Sequence, residues 1–120
     1  MRDIITVEVG ETIGNSKAVH VSDEGFAYLA ELPDRPAVGF CITGASSGLI
    51  QIFLNGATAL PVEAIPGAYL YLDNTTPGAI TATKPEGIFQ AIGRVLDGSD
   101  FSIEIQTEIQ LSGAAMSFFL

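Results

Sequence analysis

Lys17-Ala18-Val19-His20-Val21-Ser22-Asp23 and Ala68-Tyr69-Leu70-Tyr71-Leu72-Asp73 decide the fold, because the second stretch restates the first. Each runs through apolar or aromatic residues into an acid that opens a turn, and neither spaces its apolar residues for a helix. The likeness extends outward on both sides. Glu11-Thr12-Ile13 precedes the first stretch as Glu63-Ala64-Ile65 precedes the second, and Ala37-Val38-Gly39 matches Ala91-Ile92-Gly93. Leu49-Ile50-Gln51-Ile52 matches Ser102-Ile103-Glu104-Ile105. The offset is 52 residues from Ile13 to Ile65, 51 from Val21 to Leu72, 54 from Gly39 to Gly93 and 53 from Ile50 to Ile103. Drift of this size belongs in turns, so each half reads as the same succession of extended segments.

The punctuation is that of β-structure. Residues 4–9 alternate, with Ile5, Val7 and Val9 on one face and Thr6 and Glu8 on the other, which is a half-buried strand by period. Asp23-Glu24-Gly25 marks a hairpin, and Leu32-Pro33-Asp34-Arg35-Pro36 a loop whose prolines lack backbone donors. Asn55-Gly56 and Asp97-Gly98 are tight-turn dipeptides. Pro77-Gly78 fits the central positions of a type II turn, where glycine supplies the positive φ. Gly39 and Gly93, inside matching strands, imply a bulge or a close backbone approach at the same place in both halves. The fold expected is all-β, a compact β-barrel or β-sandwich built from two pseudo-repeated halves with extended terminal segments. Its parts are an N-terminal strand or arm at 1–10, a β domain at 11–110 with repeats at about 11–55 and 62–106, and an apolar tail at 111–120.

Composition narrows the partners. The 120 residues make one domain by length. Hydrophobic residues are 48% of the chain and charged ones 16%, so part of the apolar surface is expected to be covered by other copies or another protein. Fourteen acids against five bases give a formal charge of −9, which repels phosphate backbones and anionic lipid surfaces alike. No nucleic acid and no membrane is expected as a partner. No apolar run approaches the ~20 residues that span a bilayer, and no leader pattern is visible. The lone Cys41 has no partner for an internal disulfide and reads as a small buried hydrophobe.

No residue pattern announces a reaction. Gly44-Ala45-Ser46-Ser47-Gly48 matches the G-x-S-x-G string of a nucleophile elbow, but a strand pattern follows it where that motif needs a helix. His20, the one histidine, stands where Tyr71 stands in the second half, as a cross-strand or interface residue. Asp97-Gly98-Ser99-Asp100 lacks the alternating ligands and closing glutamate of a calcium loop. Nearby acids such as Glu8 and Glu11 or Asp23 and Glu24 are expected by chance among fourteen. The chain is expected not to be an enzyme, with no catalytic residues, no cofactor and no metal.

One resemblance goes further. Ala68-Tyr69-Leu70-Tyr71-Leu72-Asp73, then Thr76-Pro77-Gly78-Ala79-Ile80-Thr81, then Gly87-Ile88-Phe89-Gln90-Ala91-Ile92-Gly93-Arg94-Val95, then Phe101-Ser102-Ile103-Glu104-Ile105 resembles a module of tailed-bacteriophage virion proteins. It occurs in capsid decoration (cement) proteins and in head or tail fibre domains. The first half resembles the same module more loosely, and together the likeness covers about residues 11 to 106. It implies a homo-oligomer, commonly a trimer, made in the bacterial host cytoplasm and carried on the capsid surface, with the major capsid protein as partner. The function it implies is stabilising the shell by bridging neighbouring subunits. The alternative is a tail or head-fibre component that binds a host receptor. The chain has no heptads, no Gly-X-Y repeat and no long shaft, which favours a compact cap. The expected interface residues are Ile4, Ile5, Val7 and Val9 at one end and Met116, Phe118, Phe119 and Leu120 at the other. Phe26, Tyr69 and Tyr71 join them as aromatic anchors.

Overall fold

The computed structural model describes residues 3–110, and among them the fold is all-β, as expected. The first unit holds β1 (Ile4–Val9), β2 (Lys17–Val21), β3 (Phe26–Leu29), β4 (Gly39–Cys41) and β5 (Leu49–Phe53). The second holds β6 (Asn55–Ala59), β7 (Tyr69–Leu72), β8 (Ile80–Thr81), β9 (Ile88–Phe89), β10 (Ala91–Val95), β11 (Asp100–Glu104) and β12 (Ile109–Gln110). The first unit is a closed barrel in the order β1-β3-β2-β4-β5, with β5 pairing back to β1. The second is an open sheet in the order β6-β11-β10-β7-β8, beside a small β9–β12 pair.

Read from β3 round to β1, the first order is β3-β2-β4-β5-β1, and the second is its copy, β8-β7-β10-β11-β6. The registers agree as well. Ile4 faces Phe53 and Glu8 faces Leu49; Asn55 faces Glu104 and Ala59 faces Asp100. Adding 51 to each residue of the first pairs yields the second pairs. The repeat therefore begins a strand earlier than the sequence shows. The β6 segment Asn55-Gly56-Ala57-Thr58-Ala59 carries small residues where β1 carries Ile-Ile-Thr-Val-Glu, so its alternation is silent. Asn55-Gly56 is thus the start of a strand and not a hairpin turn, with Gly56 at φ +103°. In the exit strands Ile50 answers Phe101 and Ile52 answers Ile103, two residues from the sequence match, because the connection 42–48 is longer than 96–99.

The interior follows from alternation. Ile13, Val19, Ala27, Cys41, Ile50 and Ile52 are buried inside the barrel, and Ile5, Val7 and Val9 pack on them from β1. The outward-pointing Ala18, Phe40 and Phe53 enter a second core with Leu70, Leu72, Ile80, Ile92, Val95, Phe101 and Ile103. Phe40 and Phe101 meet edge to face, their centroids 5.3 Å apart at 89°.

Close backbone approach explains the matched glycines. A Cβ on Gly39 would lie 2.7 Å from the Phe53 carbonyl oxygen, and one on Gly93 would press into that of Ser102. The β7–β10 register also shifts between Ala91 and Gly93. The Pro77-Gly78 turn forms as expected, with Gly78 at φ +76° and the Ala79 N–H donating to Thr76 O at 3.1 Å. It is wedged into the first unit: Gly78 N–H donates to Ala30 O, and Ala18 N–H donates to Gly78 O.

Candidate functional site

Chemistry-bearing side chains are mostly spent on structure. The Gly44–Gly48 string is a loop clamped to the barrel mouth. Ala45 and Ile13 exchange backbone bonds of 2.9 Å, and Gly44 N–H donates to Asn15 Oδ1. Ser46 is exposed on it. His20 Nδ1 lies 2.8 Å from the Pro36 carbonyl oxygen, which holds the loop before β4. The Cys41 thiol is buried, and loss of solvent pushes its pKa above the ordinary value. Asp73 and Asp97 cap turns. Asp73 Oδ1 accepts from the Thr75 hydroxyl and N–H, and these bonds hold its pKa down. Asp97 Oδ1 accepts from the N–H groups of Ser99 and Asp100, with the same effect. Among the described residues, no group of three or more His, Cys, Asp or Glu side chains is placed to hold a metal ion.

Among the described residues the buried polar side chain is Gln90, which fastens one unit to the other. Its Oε1 accepts from Ala37 N–H at 2.7 Å, while its Nε2 donates to Ala37 O at 2.8 Å and Gln106 O at 2.9 Å. Such a fully satisfied amide imitates a strand partner. Above it lies an open depression of about 590 Å3, lined by Val38, Leu54 and Ile105 among others. A second cleft of about 280 Å3 opens where β4 and β5, joined only at Phe40 and Phe53, diverge. Ile42, Thr43, Leu49 and Gln51 line it.

What the surface offers is apolar side chains on a rigid frame. Of the expected interface residues, Ile4, Phe26 and Tyr69 are exposed, Phe26 at 37% and Tyr69 at 45%. Ile5, Val7 and Val9 face the barrel interior, which makes residues 4–9 an integral strand. Tyr71 is half-buried edge to face with Phe89, whose ring also carries the Lys84 ammonium at 4.4 Å. Met116, Phe118, Phe119 and Leu120 lie outside the described residues. The most exposed large hydrophobics were not singled out by sequence: Ile65 at 75%, Leu49 at 67% and Leu96 at 51%.

These residues gather in two places. Glu8 on β1 pairs with Leu49 on one side and Phe26 on the other, so the three make one outward row across β5, β1 and β3. Tyr69 pairs with Arg94 at the far end of the molecule's repeat; the guanidinium lies 5.0 Å from the ring centroid, and Nη2 donates to the Tyr69 hydroxyl at 2.9 Å. Leu96 follows directly after the end of β10, and Ile65 stands in the turn whose Gly67 N–H donates to Val95 O. Alternation alone reveals which residues point outward, but only the pairing shows that they are neighbours. Among the described residues, no helix is long and apolar enough to cross a membrane. No protein-family model matches the chain, and no curated protein matches it.

Proposed function

We propose that the chain is a structural, non-enzymatic virion protein that binds the outer surface of a phage capsid and stabilises the shell by bridging neighbouring subunits. The family part of this reading rests on the sequence resemblance. The observation that carries the rest is the pairing of two exposed apolar rows with a frame whose polar side chains already serve turns and strand contacts. Exposed aromatics and aliphatics ringed by charge mark protein-binding surfaces. Burial of apolar area supplies about 25 cal/mol per Å2 before association costs, and several copies acting together multiply it. The major capsid protein and other copies of the chain are the partners.

The test is copy number in purified virions of the phage that encodes it, measured by quantitative mass spectrometry. A number comparable to that of the major capsid protein is expected. A handful per particle would replace this reading with a fibre or receptor-binding role, for which the cleft beside Leu49 is the natural pocket. Absence from the particle would sink both.

A further inference from the structure

The same hairpin is built in both units and is zipped in only one of them. In the second unit β10 and β11 stay paired up to their turn. Gly93 faces Ile103, Arg94 faces Ser102, Val95 faces Phe101, and Leu96 N–H donates to Asp100 O at 3.0 Å. In the first unit β4 meets β5 at Phe40 and Phe53 alone. A regular hairpin in that register would set Ile42 opposite Gln51 and Gly44 opposite Leu49. The loop is drawn away instead. Ile42 O accepts from Ser16 N–H at 3.1 Å, Gly44 N–H donates to Asn15 Oδ1 at 2.8 Å, and Ala45 and Ile13 bond in both directions. Glycine is needed at 44, because a Cβ there would press into the Ile13 carbonyl oxygen. These bonds hold the gap open, and the gap is the cleft of about 280 Å3 beside Leu49.

The pairing of β5 shows what borders that cleft. Val9 N–H donates to Gly48 O and Leu54 N–H donates to Asp3 O, so in the same register Ile50 and Ile52 turn their backbone groups toward β1. Leu49, Gln51 and Phe53 turn theirs the other way, toward β4. Phe53 finds Phe40 there. The N–H and carbonyl groups of Leu49 and Gln51 face the cleft with no strand beside them among the described residues. Ile42 and Thr43 line its other side, and the Leu49 side chain stands 67% exposed at its rim.

We propose that this cleft binds an extended segment of a partner protein, which pairs with Leu49–Gln51 as an added strand. What the edge lacks sets the occupant. Donors and acceptors alternating at strand spacing are the complement of another polypeptide backbone. The Phe40–Phe53 pair closes one end of the cleft, so the segment is short or turns outward there. Its side chain next to Leu49 is apolar. Glu8 stands on β1 opposite Leu49, and with the net charge of −9 it favours lysine or arginine in the same segment. This rests on the protein-binding part of the proposed function and gives it a contact.

The test is a titration of the full chain, followed by amide NMR, with a short capped peptide of alternating valine and lysine. Main-chain pairing tolerates sequence, so this probe is sufficient. Shifts and slowed exchange are expected at the Leu49 and Gln51 amides and not at Phe101 and Ser102, their neighbours' counterparts in the zipped hairpin. The same peptide N-methylated on alternate amides loses its donors and is expected not to bind. Leu49→Lys, an exposed change that spares the fold, is expected to weaken binding by about tenfold, as an apolar contact is lost and like charges meet. No response at Leu49 and Gln51 overturns the proposal, as does equal binding by the N-methylated peptide or by Leu49→Lys. Shifts there that grow with the concentration of the chain alone would give the cleft to a second copy and overturn the assignment to a partner. Peptide binding is measured without capsids. Its failure leaves the copy number on virions as it stands, and absence from virions would sink the capsid reading while peptide binding at the cleft remained.

Discussion

The two units share strand order and, along β1–β5 and β6–β11, register, yet they bury their interiors by different means. The first closes on itself through β1 and β3 and fills its barrel with Ile, Val, Ala and Cys41. In the second, β6 and β8 stand at opposite ends of an open sheet among the described residues, and Phe40 and Phe53 of the first unit complete its core. The cause lies in β6. Where β1 places Ile5 and Val7 inward, β6 places Gly56 and Thr58, too small to fill a barrel of the same bore. One scaffold therefore serves as a self-sufficient barrel and as a socket, and stability should flow one way, from the first unit to the second.

The largest expected effect tests that direction. Phe40→Ala removes a ring that belongs to the first unit by sequence and to the second by packing, at a cost of about 3–5 kcal/mol. Amide exchange should show β7, β10 and β11 losing protection while β1 and β5 keep theirs. Ile52→Ala, which empties the barrel itself, should expose both units. Equal exposure of both units in Phe40→Ala would mean that the molecule unfolds as one body and that the asymmetry has no energetic content.

A smaller effect is expected at Gln90, the polar link between the units. Gln90→Leu keeps the volume and strands the Ala37 N–H and carbonyl, which pair with that amide. A buried backbone group left without a partner costs about 1–3 kcal/mol. Thermal unfolding should show the loss, and Gln90→Glu should show more of it above the carboxyl pKa than below, since protonation restores a donor. A Gln90→Leu chain as stable as the parent would show that water replaces the amide, and the link would then be packing alone.

How much of this was legible in the sequence depends on where the repeat was loud. His20 and Tyr71, or Gly39 and Gly93, hold equivalent places that alternation and glycine chemistry disclose without coordinates. The strand β6 was silent because Asn55-Gly56-Ala57-Thr58-Ala59 has turn-like residues and no large side chain to alternate, so its membership in a sheet is decided by pairing with β11. The role of Phe40 was equally hidden. In Gly39-Phe40-Cys41 every residue is apolar, and no periodicity says which of two cores each enters. The surface rows were half legible. Phe26 and Tyr69 drew attention as aromatics, whereas Leu49, Ile65 and Leu96 are ordinary aliphatics whose exposure follows from strand direction and turn placement. Gln90 stood in plain view within the Phe89-Gln90-Ala91-Ile92-Gly93 string, but a glutamine between apolar residues gains its meaning only from a partner, Ala37, on the other unit.

The smallest effect separates the units by pH. Both carboxylates with lowered pKa, Asp73 and Asp97, cap turns of the second unit. The corresponding turn of the first unit, after β2, is capped instead by Ser22, whose neutral hydroxyl accepts from Phe26 N–H at 3.2 Å. A carboxyl whose folded pKa lies below its unfolded value contributes stability that is complete above the unfolded value and is lost as pH falls through the folded one. With an ordinary value of 3.8 for both groups, the loss falls below about pH 4 and is confined to the second unit. Acid also neutralises part of the −9 charge and so relieves repulsion across the whole chain, which works in the opposite direction for both units alike. The difference between the units therefore isolates the caps. Amides after β7 and between β10 and β11 should lose protection as pH falls below about 4, relative to those of the Ser22 turn. Asp73→Ser, which copies the first unit's cap, should remove that difference at the β7 turn and leave it at Asp97. If the Ser22 turn loosens in step with the other two, hydrogen-bonded carboxylates are not what distinguishes the units in acid, and the open sheet alone accounts for whatever difference remains.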